Sequence, residues 1–326
     1  MKLLLFAVAG LMAQLVDGAL GMAFGVTATT MLILSGTAPA QASAAVHFAE
    51  VGTTLFSGLA HWRLNNVHWP TVVFLGIPGA VGAFAGATVL SGLSTESAEP
   101  VVSTLLLLLG AYVLIRSVLV PWKKPEGGDP GDTGETVPVS SGSRRSRLGL
   151  VTLGLGGGFL DASGGGGGGP VTTSSLMSVG RSEPRKIIGT VNTAEFLVAV
   201  SASLGFIIGL EQVHDSWQPV LGLLIGGLIG APIAAWIVTV IKPDVLGGIV
   251  GAVLVALNGA RVSASLGWAG GLLTAVTVTL CLVVIGRALL ARRRRTAAAA
   301  AATAAAGPSG ASEASGPVVI AVDAQR

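Results

Sequence analysis

Charged residues are scarce in this chain of 326 amino acids, and cysteine is nearly absent. Asp, Glu, Lys and Arg together make up 11% of the sequence, against about 25% in soluble domains. Apolar residues make up 51%, and the mean hydropathy is +0.77. No soluble core needs so much apolar surface, so the composition predicts a membrane protein. The single cysteine, Cys281, excludes an internal disulfide framework and a cysteine-rich metal site.

Motifs for enzyme chemistry are also missing. The sequence has no phosphate-binding P-loop, and no nucleophile stands beside a base or a metal cluster. We therefore predict that the chain is not an enzyme, that ATP does not drive it directly, and that it uses no cofactor and no metal ion. The net charge of +3 comes mostly from the four arginines at 292–295. Such a cluster after an apolar stretch is typical of a cytoplasmic anchor, so we expect no nucleic-acid partner.

Long apolar stretches are abundant. A helix needs roughly 20 apolar residues to cross about 30 Å of hydrocarbon, and seven stretches meet that length: residues 40–60, 70–93, 100–121, 186–210, 217–241, 244–261 and 266–290. Two more, 3–34 and 148–180, are too long for one comfortable pass, too short for two, and interrupted by glycine near the middle. We expect an all-helical, multi-pass protein of the cell membrane, with the lipid bilayer as its surroundings.

The interrupted stretches belong to an internal repeat. Residues 17–50 align with residues 161–195 when Pro170 is treated as an insertion in the second copy. The alignment pairs Asp17 with Asp161, Gly21 with Gly165, Gly25 with Gly169, His47 with Asn192 and Glu50 with Glu195. The predicted organisation is a first transmembrane repeat (1–121), a disordered polar linker (122–147), a second repeat (148–262), an additional helix (263–290) and a disordered basic tail (291–326).

The distribution of Lys and Arg predicts the orientation of the repeats. The arginines at 292–295 place the C-terminus in the cytoplasm. If residues 148–180 form a re-entrant hairpin, the basic linker is also cytoplasmic and the two repeats have opposite orientations, as in many secondary transporters. If that stretch crosses once, the linker lies outside. The hairpin agrees better with the charges.

Breaks in a helix at mid-membrane mark a cavity, because backbone in a bilayer must otherwise satisfy its own hydrogen bonds. Half-helices that begin after the glycines would point N–H groups and positive dipole ends at the break, which favours an anion. The predicted substrate-binding residues are Gly21, Gly25, Thr27, Thr29, His47, Gly165, Gly167, Gly169, Thr172, Thr173 and Asn192. Alternatively, the glycines serve only close helix packing.

Four carboxylates fall inside apolar segments, where a charge is costly and usually functional. Glu50 and Glu195 follow His47 and Asn192 by three residues, so each pair shares a helical face. We predict that the two glutamates bind coupling protons; the alternative is a structural role at the broken helices. Asp17 and Asp161 precede the breaks, and N-capping is their predicted role.

The same segments resemble a known family. The broken segments VDGALGMAFGVTATT and FLDASGGGGGGPVTTSS, the pieces VHFAE and VNTAE, and SGLAHWRLNNV are similar to those of the TauE/SafE sulfite exporters. The resemblance covers about residues 3–290, although the first copy has GMAFG where the family often has a denser glycine cluster. It implies a two-repeat inner-membrane permease for sulfite, sulfoacetate or other small sulfur-containing anions.

Taken together, these features predict a secondary transporter for a small anion, with its site where the two broken segments meet. Two alternatives remain at this point. The broken segments could form the filter of an anion channel, in which no carboxylate needs to titrate. Less favoured is an intramembrane enzyme that uses His47 and Glu50 as acid and base. Substrate, direction of transport and oligomeric state are not predicted.

Overall fold

The regular structure of the chain is helical throughout the part that the computed structural model describes, which comprises residues 2–20, 23–119, 144–179, 184–210, 217–240 and 243–305. These ranges contain ten helices, so the prediction of an all-helical protein is confirmed. In chain order they are α1 (Lys2–Leu20), α2 (Phe24–Leu34), α3 (Pro39–Arg63), α4 (Trp69–Ser91), α5 (Thr95–Leu119), α6 (Arg144–Gly164), α7 (Gly168–Val179), α8 (Pro184–Gly209), α9 (Trp217–Val240) and α10 (Pro243–Ala305).

The long helices coincide with the predicted spans. Proline marks several of their beginnings, since it lacks the N–H that a first turn would leave unpaired: α3, α8 and α10 each start at a proline. By length and composition, four helical segments of the described chain are able to cross a membrane: Trp69–Ser91, Thr95–Leu119, Lys186–Gly209 and Gly248–Ala291. The chain is therefore a multi-pass membrane protein.

The helical chain is interrupted between α1 and α2 and between α6 and α7, where the sequence predicted breaks. The chain between α1 and α2 includes residues 21–22, which lie outside the described part. Between α6 and α7 the backbone turns at Gly165 and Gly166, whose φ angles are 73° and 96°. Residues that have a side chain rarely adopt such φ angles, so glycine is needed at both positions. Each break leaves a short half-helix, α2 or α7, that starts inside the molecule.

Helix α10 is interrupted at Gly267, where φ is 56° and ψ is −133°. Beyond it the chain folds back on itself, as two contacts between the arms show. The Thr274 hydroxyl donates to the Gly259 carbonyl oxygen at 3.1 Å, and the Ser263 hydroxyl contacts that of Thr274 at 3.2 Å. The two arms correspond to the predicted spans 244–261 and 266–290.

The predicted disordered segments differ from the structure at their edges. The tail was expected to be disordered from residue 291, but α10 continues to Ala305. Alanine, which dominates this stretch, has the highest intrinsic helix propensity. Likewise α6 begins at Arg144, within the predicted linker. Residues 120–143 and 306–326 lie outside the described part.

The two halves exchange helix contacts. Helix α1 packs on α9, and α4 packs on α6. Both contacts bring backbone against backbone: a Cβ atom on Gly82 of α4 would lie 2.0 Å from the carbonyl oxygen of Leu155, and one on Gly226 of α9 would lie 1.9 Å from that of Ala7. Only glycine permits this approach, which is a common device between helices in membranes. In addition, α3 packs on α8 and α5 on α10.

Candidate functional site

The two helix breaks touch each other inside the molecule. A Cβ atom on Gly25, at the start of α2, would lie 2.3 Å from the Cα atom of Gly166, and the reverse substitution would be as close. The Thr29 hydroxyl donates to the carbonyl oxygen of Gly165 at 2.7 Å. Residues far apart in the sequence therefore meet at one point, and glycine is required there on both sides.

Aspartates bind the N-terminal backbone of both half-helices. Oδ1 of Asp17 accepts hydrogen bonds from the N–H groups of Ala23 and Phe24, at 2.8 and 3.2 Å. Oδ1 of Asp161 accepts one from the N–H of Gly168 at 2.7 Å. These N–H groups would otherwise have no partner within the helix. The chain's own carboxylates thus occupy part of the positions that the sequence assigned to an anion.

A cavity of about 280 Å³ lies beside the meeting point. Its lining comes from both halves and comprises Gln14, Asp17, Phe24, Gly25, Glu50, Thr53, Thr54, Phe56, Ser57, Asp161, Gly166, Gly169, Asn192, Glu195, Gly227, Leu228 and Ala231. Seven of these were predicted site residues: Asp17, Gly25, Glu50, Asp161, Gly169, Asn192 and Glu195.

Four carboxyl groups share this cavity, and neither lysine nor arginine is among its described lining residues. They are Asp17 of α1, Glu50 of α3, Asp161 of α6 and Glu195 of α8. Four ionised carboxylates this close, largely out of water, repel one another strongly. Binding of protons or other cations would reduce this repulsion.

One face of α3 contributes polar residues that sequence reasoning missed. Thr53, Thr54 and Ser57 lie three, four and seven positions after Glu50 and line the same cavity. This spacing places them on one side of a helix. Extending the face of Glu50 along α3 would have found them. Gln14, three positions before Asp17 on α1, follows the same rule.

His47 is fully buried behind the cavity wall. Its Nε2 lies 3.3 Å from Oδ2 of Asp161, and its Nδ1 lies 2.8 Å from the carbonyl oxygen of Ser43. The ring of Phe206 packs at 5.9 Å between centroids. The predicted substrate contact of His47 is thus indirect in this structure, through Asp161, whereas its repeat partner Asn192 lines the cavity and donates to the Ser57 hydroxyl at 2.9 Å.

Several other predicted residues bind backbone instead of facing the cavity. The Thr172 hydroxyl donates to the carbonyl oxygens of Gly168 and Gly169. Thr27 is buried, and its hydroxyl has no partner among the described residues. A Cβ atom on Gly167 would meet the side chain of Leu109 at 2.1 Å, so this glycine serves packing. Thr173 is buried, and Gly21 lies outside the described residues.

A second, smaller cavity of about 20 Å³ adjoins the first. Asp161, Gly169 and Glu195 line both cavities. The smaller one is otherwise lined by residues of α4, α6, α7 and α8. The two spaces therefore share these three residues.

His47, Glu50 and Asp161 form a compact titratable group. Each offers one nitrogen or oxygen atom, and these atoms lie within 4.8 Å of one another. Two of the three already pair directly, through Nε2 of His47 and Oδ2 of Asp161. The sequence predicted neither a metal ion nor a cofactor here.

Comparison with known proteins identifies the family. Residues 6–261 match the profile of the family described as "Sulfite exporter TauE/SafE". The chain belongs to the TauE/SafE family. It is 48% identical over 257 residues to the "Probable membrane transporter protein YtnM" of Bacillus subtilis (strain 168), an alignment that covers 79% of this chain and 81% of the relative. No solved structure matches the chain.

Family membership confirms three of the predictions made from sequence. The resemblance to TauE/SafE proteins was correct, the chain is a membrane transporter, and it is not an enzyme. The alternative in which His47 and Glu50 catalyse a reaction is therefore set aside. The burial of His47 agrees with this, because the side chain does not line the cavity of this TauE/SafE protein.

Proposed function

We propose that this TauE/SafE protein is a secondary transporter of the cell membrane for a small anion, sulfite or an organosulfonate, which binds where the two broken helices meet. The observation that carries the proposal is the shared cavity at the contact of Gly25 with Gly166. Its polar lining includes the Ser57 hydroxyl and the second N–H of the Asn192 amide, which are donors of the kind that bind oxyanions. The hydroxyls of Thr53 and Thr54 line the same space but donate to the backbone carbonyl oxygen of Glu50. The family name supplies the sulfur-containing class of substrate.

Proton coupling follows from the charge of the cavity. Asp17 and Asp161 accept hydrogen bonds from backbone N–H groups at the start of a half-helix, so both carboxyl groups already have protein partners. Glu50 and Glu195 face the same space without being helix caps. An anion would be repelled unless these two carboxyls were neutral, so we assign the coupling protons to them. Proton binding and anion binding then support each other.

The unequal cavities favour a carrier over a channel. The larger cavity extends among α1, α3 and α9, and the smaller among α6, α8 and α4. These two sets are repeat counterparts, as the pairs Asp17 with Asp161 and Glu50 with Glu195 indicate. The space is wider among the helices of one repeat, at about 280 Å³, than among their counterparts, at about 20 Å³. A carrier in one of its two alternating states has such an asymmetry between its halves.

Reciprocal packing supports a two-fold relation between the repeats. Gly82 lies on α4, which follows α3, and Gly226 lies on α9, which follows the repeat counterpart α8. Each of these glycines contacts the first helix of the opposite half, Gly82 on α6 and Gly226 on α1. Such an exchange is what a two-fold relation between the halves produces. Together with the basic residues at 292–295, it supports a cytoplasmic C-terminus.

The decisive experiment is flux into proteoliposomes of the purified protein, with sulfite, sulfate, thiosulfate, sulfonates and carboxylates, each with and without a proton gradient. We expect saturable, gradient-dependent flux of sulfite or a sulfonate. Glu50→Gln and Glu195→Gln should still insert and bind the anion, but lose proton-coupled net flux and most of the pH dependence. Glu96→Gln, at the exposed start of α5, is the matched control and should behave as wild type.

Two results would reject parts of this proposal. If both cavity variants keep the wild-type rate and pH profile, the glutamates are structural. If flux never saturates and ignores the gradient, the chain is a channel.

A further inference from the structure

The contact between His47 and Asp161 joins the two halves of the protein. His47 belongs to α3 and Asp161 to α6, and the side chains approach at 3.3 Å between Nε2 and Oδ2. Neither is exposed: the exposed fraction is 0% for His47 and 7% for Asp161. A second bond runs beside it, from the Ser43 hydroxyl to the carbonyl oxygen of Ala162 at 2.7 Å. Two links therefore join α3 and α6. The bond from Ser43 to Ala162 does not depend on pH, whereas the contact of His47 with Asp161 involves titratable side chains.

Hydrogen-bond geometry determines where the imidazole protons lie. Nδ1 of His47 faces the carbonyl oxygen of Ser43 at 2.8 Å, and a carbonyl oxygen can only accept. The Ser43 hydroxyl already gives its one hydrogen to Ala162, so it cannot donate to the ring. Nδ1 must therefore carry a proton. In a neutral ring Nε2 would then be bare and would face the lone pairs of the Asp161 carboxylate.

A bare nitrogen beside a carboxylate is repulsive, so a proton is required between them. We propose that His47 and Asp161 share one proton across the two halves and that its release opens this contact, which makes the pair a coupling site in addition to the two glutamates. The role in coupling rests on the proposed transport function; the shared proton does not. Asp161 can serve both purposes because Oδ1 caps α7 and Oδ2 is left for His47.

Acidic and apolar groups surround this proton. Glu50 follows one turn later on α3, and Asp17 of α1 and Glu195 of α8 line the same cavity as Asp161. All three are acidic, and neither lysine nor arginine is among the described residues that line that cavity. On its other side the ring contacts the apolar Phe206 of α8. The link is thus present at low pH and is lost as the pH rises.

The second copy of the repeat lacks this device. The position that matches His47 is Asn192, whose amide donates to Ser57 and cannot titrate. Its counterpart carboxylate, Asp17, binds the N–H groups of Ala23 and Phe24. One half of the molecule therefore has a titratable link and the other half does not, so proton release changes the two sides unequally.

Nuclear magnetic resonance of isotope-labelled histidine, in the full chain in nanodiscs with a chelator and without substrate, tests the shared proton. The chain has four histidines, and His47→Asn identifies the signals of His47. We expect Nδ1 to be protonated at every pH and Nε2 to lose its proton as the pH rises. In Asp161→Asn this loss should shift to lower pH, because the negative partner is gone. If that variant does not fold, Asp161→Ser, which also removes the negative charge and keeps an oxygen able to cap a helix, is used instead.

Three outcomes overturn the shared proton: a neutral ring with its proton on Nε2, an unchanged titration in both Asp161 variants, or a metal-bound Nε2 signal once the chelator is removed. Sulfite flux against pH tests the role in coupling. His47→Asn should flatten the profile and His61→Asn, at the other end of α3, should not; equal profiles reject the role. If the protein shows the shared proton but transports no sulfite, the proposed pair stands and the proposed substrate is wrong.

Discussion

Gly25 sets the closest approach between the halves of the molecule. A methyl group at this position would meet the backbone of Gly166 at 2.3 Å, and backbone cannot move aside as a side chain can. We therefore expect Gly25→Ala to destabilise the folded protein by about 1–3 kcal/mol and to lower flux. Thermal unfolding in detergent and flux in proteoliposomes measure the two effects.

The matched control for this change is Gly156→Ala in α6. A Cβ atom there meets no atom within 4 Å, so the variant should unfold at the wild-type temperature or slightly above it. If both alanine variants behave alike, the contact between the helix breaks does not constrain the fold.

Two substitutions of Asp17 distinguish whether the helix cap or the negative charge of this residue stabilises the protein. Its Oδ1 accepts from two backbone N–H groups at the start of α2. Asparagine keeps that acceptor, and alanine removes it. Asp17→Asn should stay close to wild type in thermal stability, whereas Asp17→Ala should lose about 0.5–2 kcal/mol. Equal losses in the two variants would mean that the negative charge, rather than the cap, stabilises this end of α2.

Among the elements, α10 depends on one residue for its shape. At Gly267 the combination of φ 56° and ψ −133° is open to glycine and strained for other residues. Gly267→Ala should cost about 1–3 kcal/mol of unfolding free energy, because the two arms can no longer fold back without strain. Gly271→Ala, in the same arm and with no atom within 4 Å, is the control. Unchanged thermal unfolding of Gly267→Ala would mean that the reversal tolerates a side chain.

The helices that the sequence predicted well are those whose signal is local. Apolar length predicted α3, α4, α5, α8 and α9 to within a few residues at most ends. The glycine clusters predicted the breaks, because glycine adopts the positive φ angles that a break requires, as at Gly165 and Gly166. The continuation of α10 through the alanines was missed because low-complexity composition was taken as disorder, although alanine favours helix.

The site was only partly predictable, because its geometry is not local. The repeat alignment identified all four carboxylates that share the cavity. It could not show that the Thr29 hydroxyl donates to the carbonyl oxygen of Gly165, since that contact forms only once the breaks meet. The pairing of His47 with Asp161 spans 114 residues and two helices, so no sequence periodicity indicates it.

For the whole molecule, inversion of the repeats predicts which loops share a side of the membrane. The loop after α3 and the loop after α8 are repeat counterparts. If the halves are inverted, a cysteine at position 64 should be protected from an impermeant thiol reagent in intact cells, and one at position 216 should react. Leu64→Cys and Ser216→Cys are made in a Cys281→Ala background. Labelling of both positions, or of neither, contradicts the inversion.

Alternating access predicts that the side of the molecule with the smaller cavity must widen during transport. On that side α4 lies directly on α8, and a Cβ atom on Gly76 would be 3.3 Å from that of Ala194. This separation is close to that of disulfide-linked residues. In a Cys281→Ala background, the double variant Gly76→Cys with Ala194→Cys should crosslink on oxidation. We expect the crosslinked protein to lose most of its sulfite flux, because the smaller cavity can no longer widen.

Reduction should restore that flux, and each single-cysteine variant should be insensitive to the oxidant, which separates the crosslink from the substitutions themselves. The same pair distinguishes the carrier from a channel. In a channel the path through the larger cavity does not require α4 to leave α8, so a crosslink at this contact would leave flux unchanged. Full activity of the oxidised double variant, with the crosslink verified by mass spectrometry, would reject alternating access at these helices.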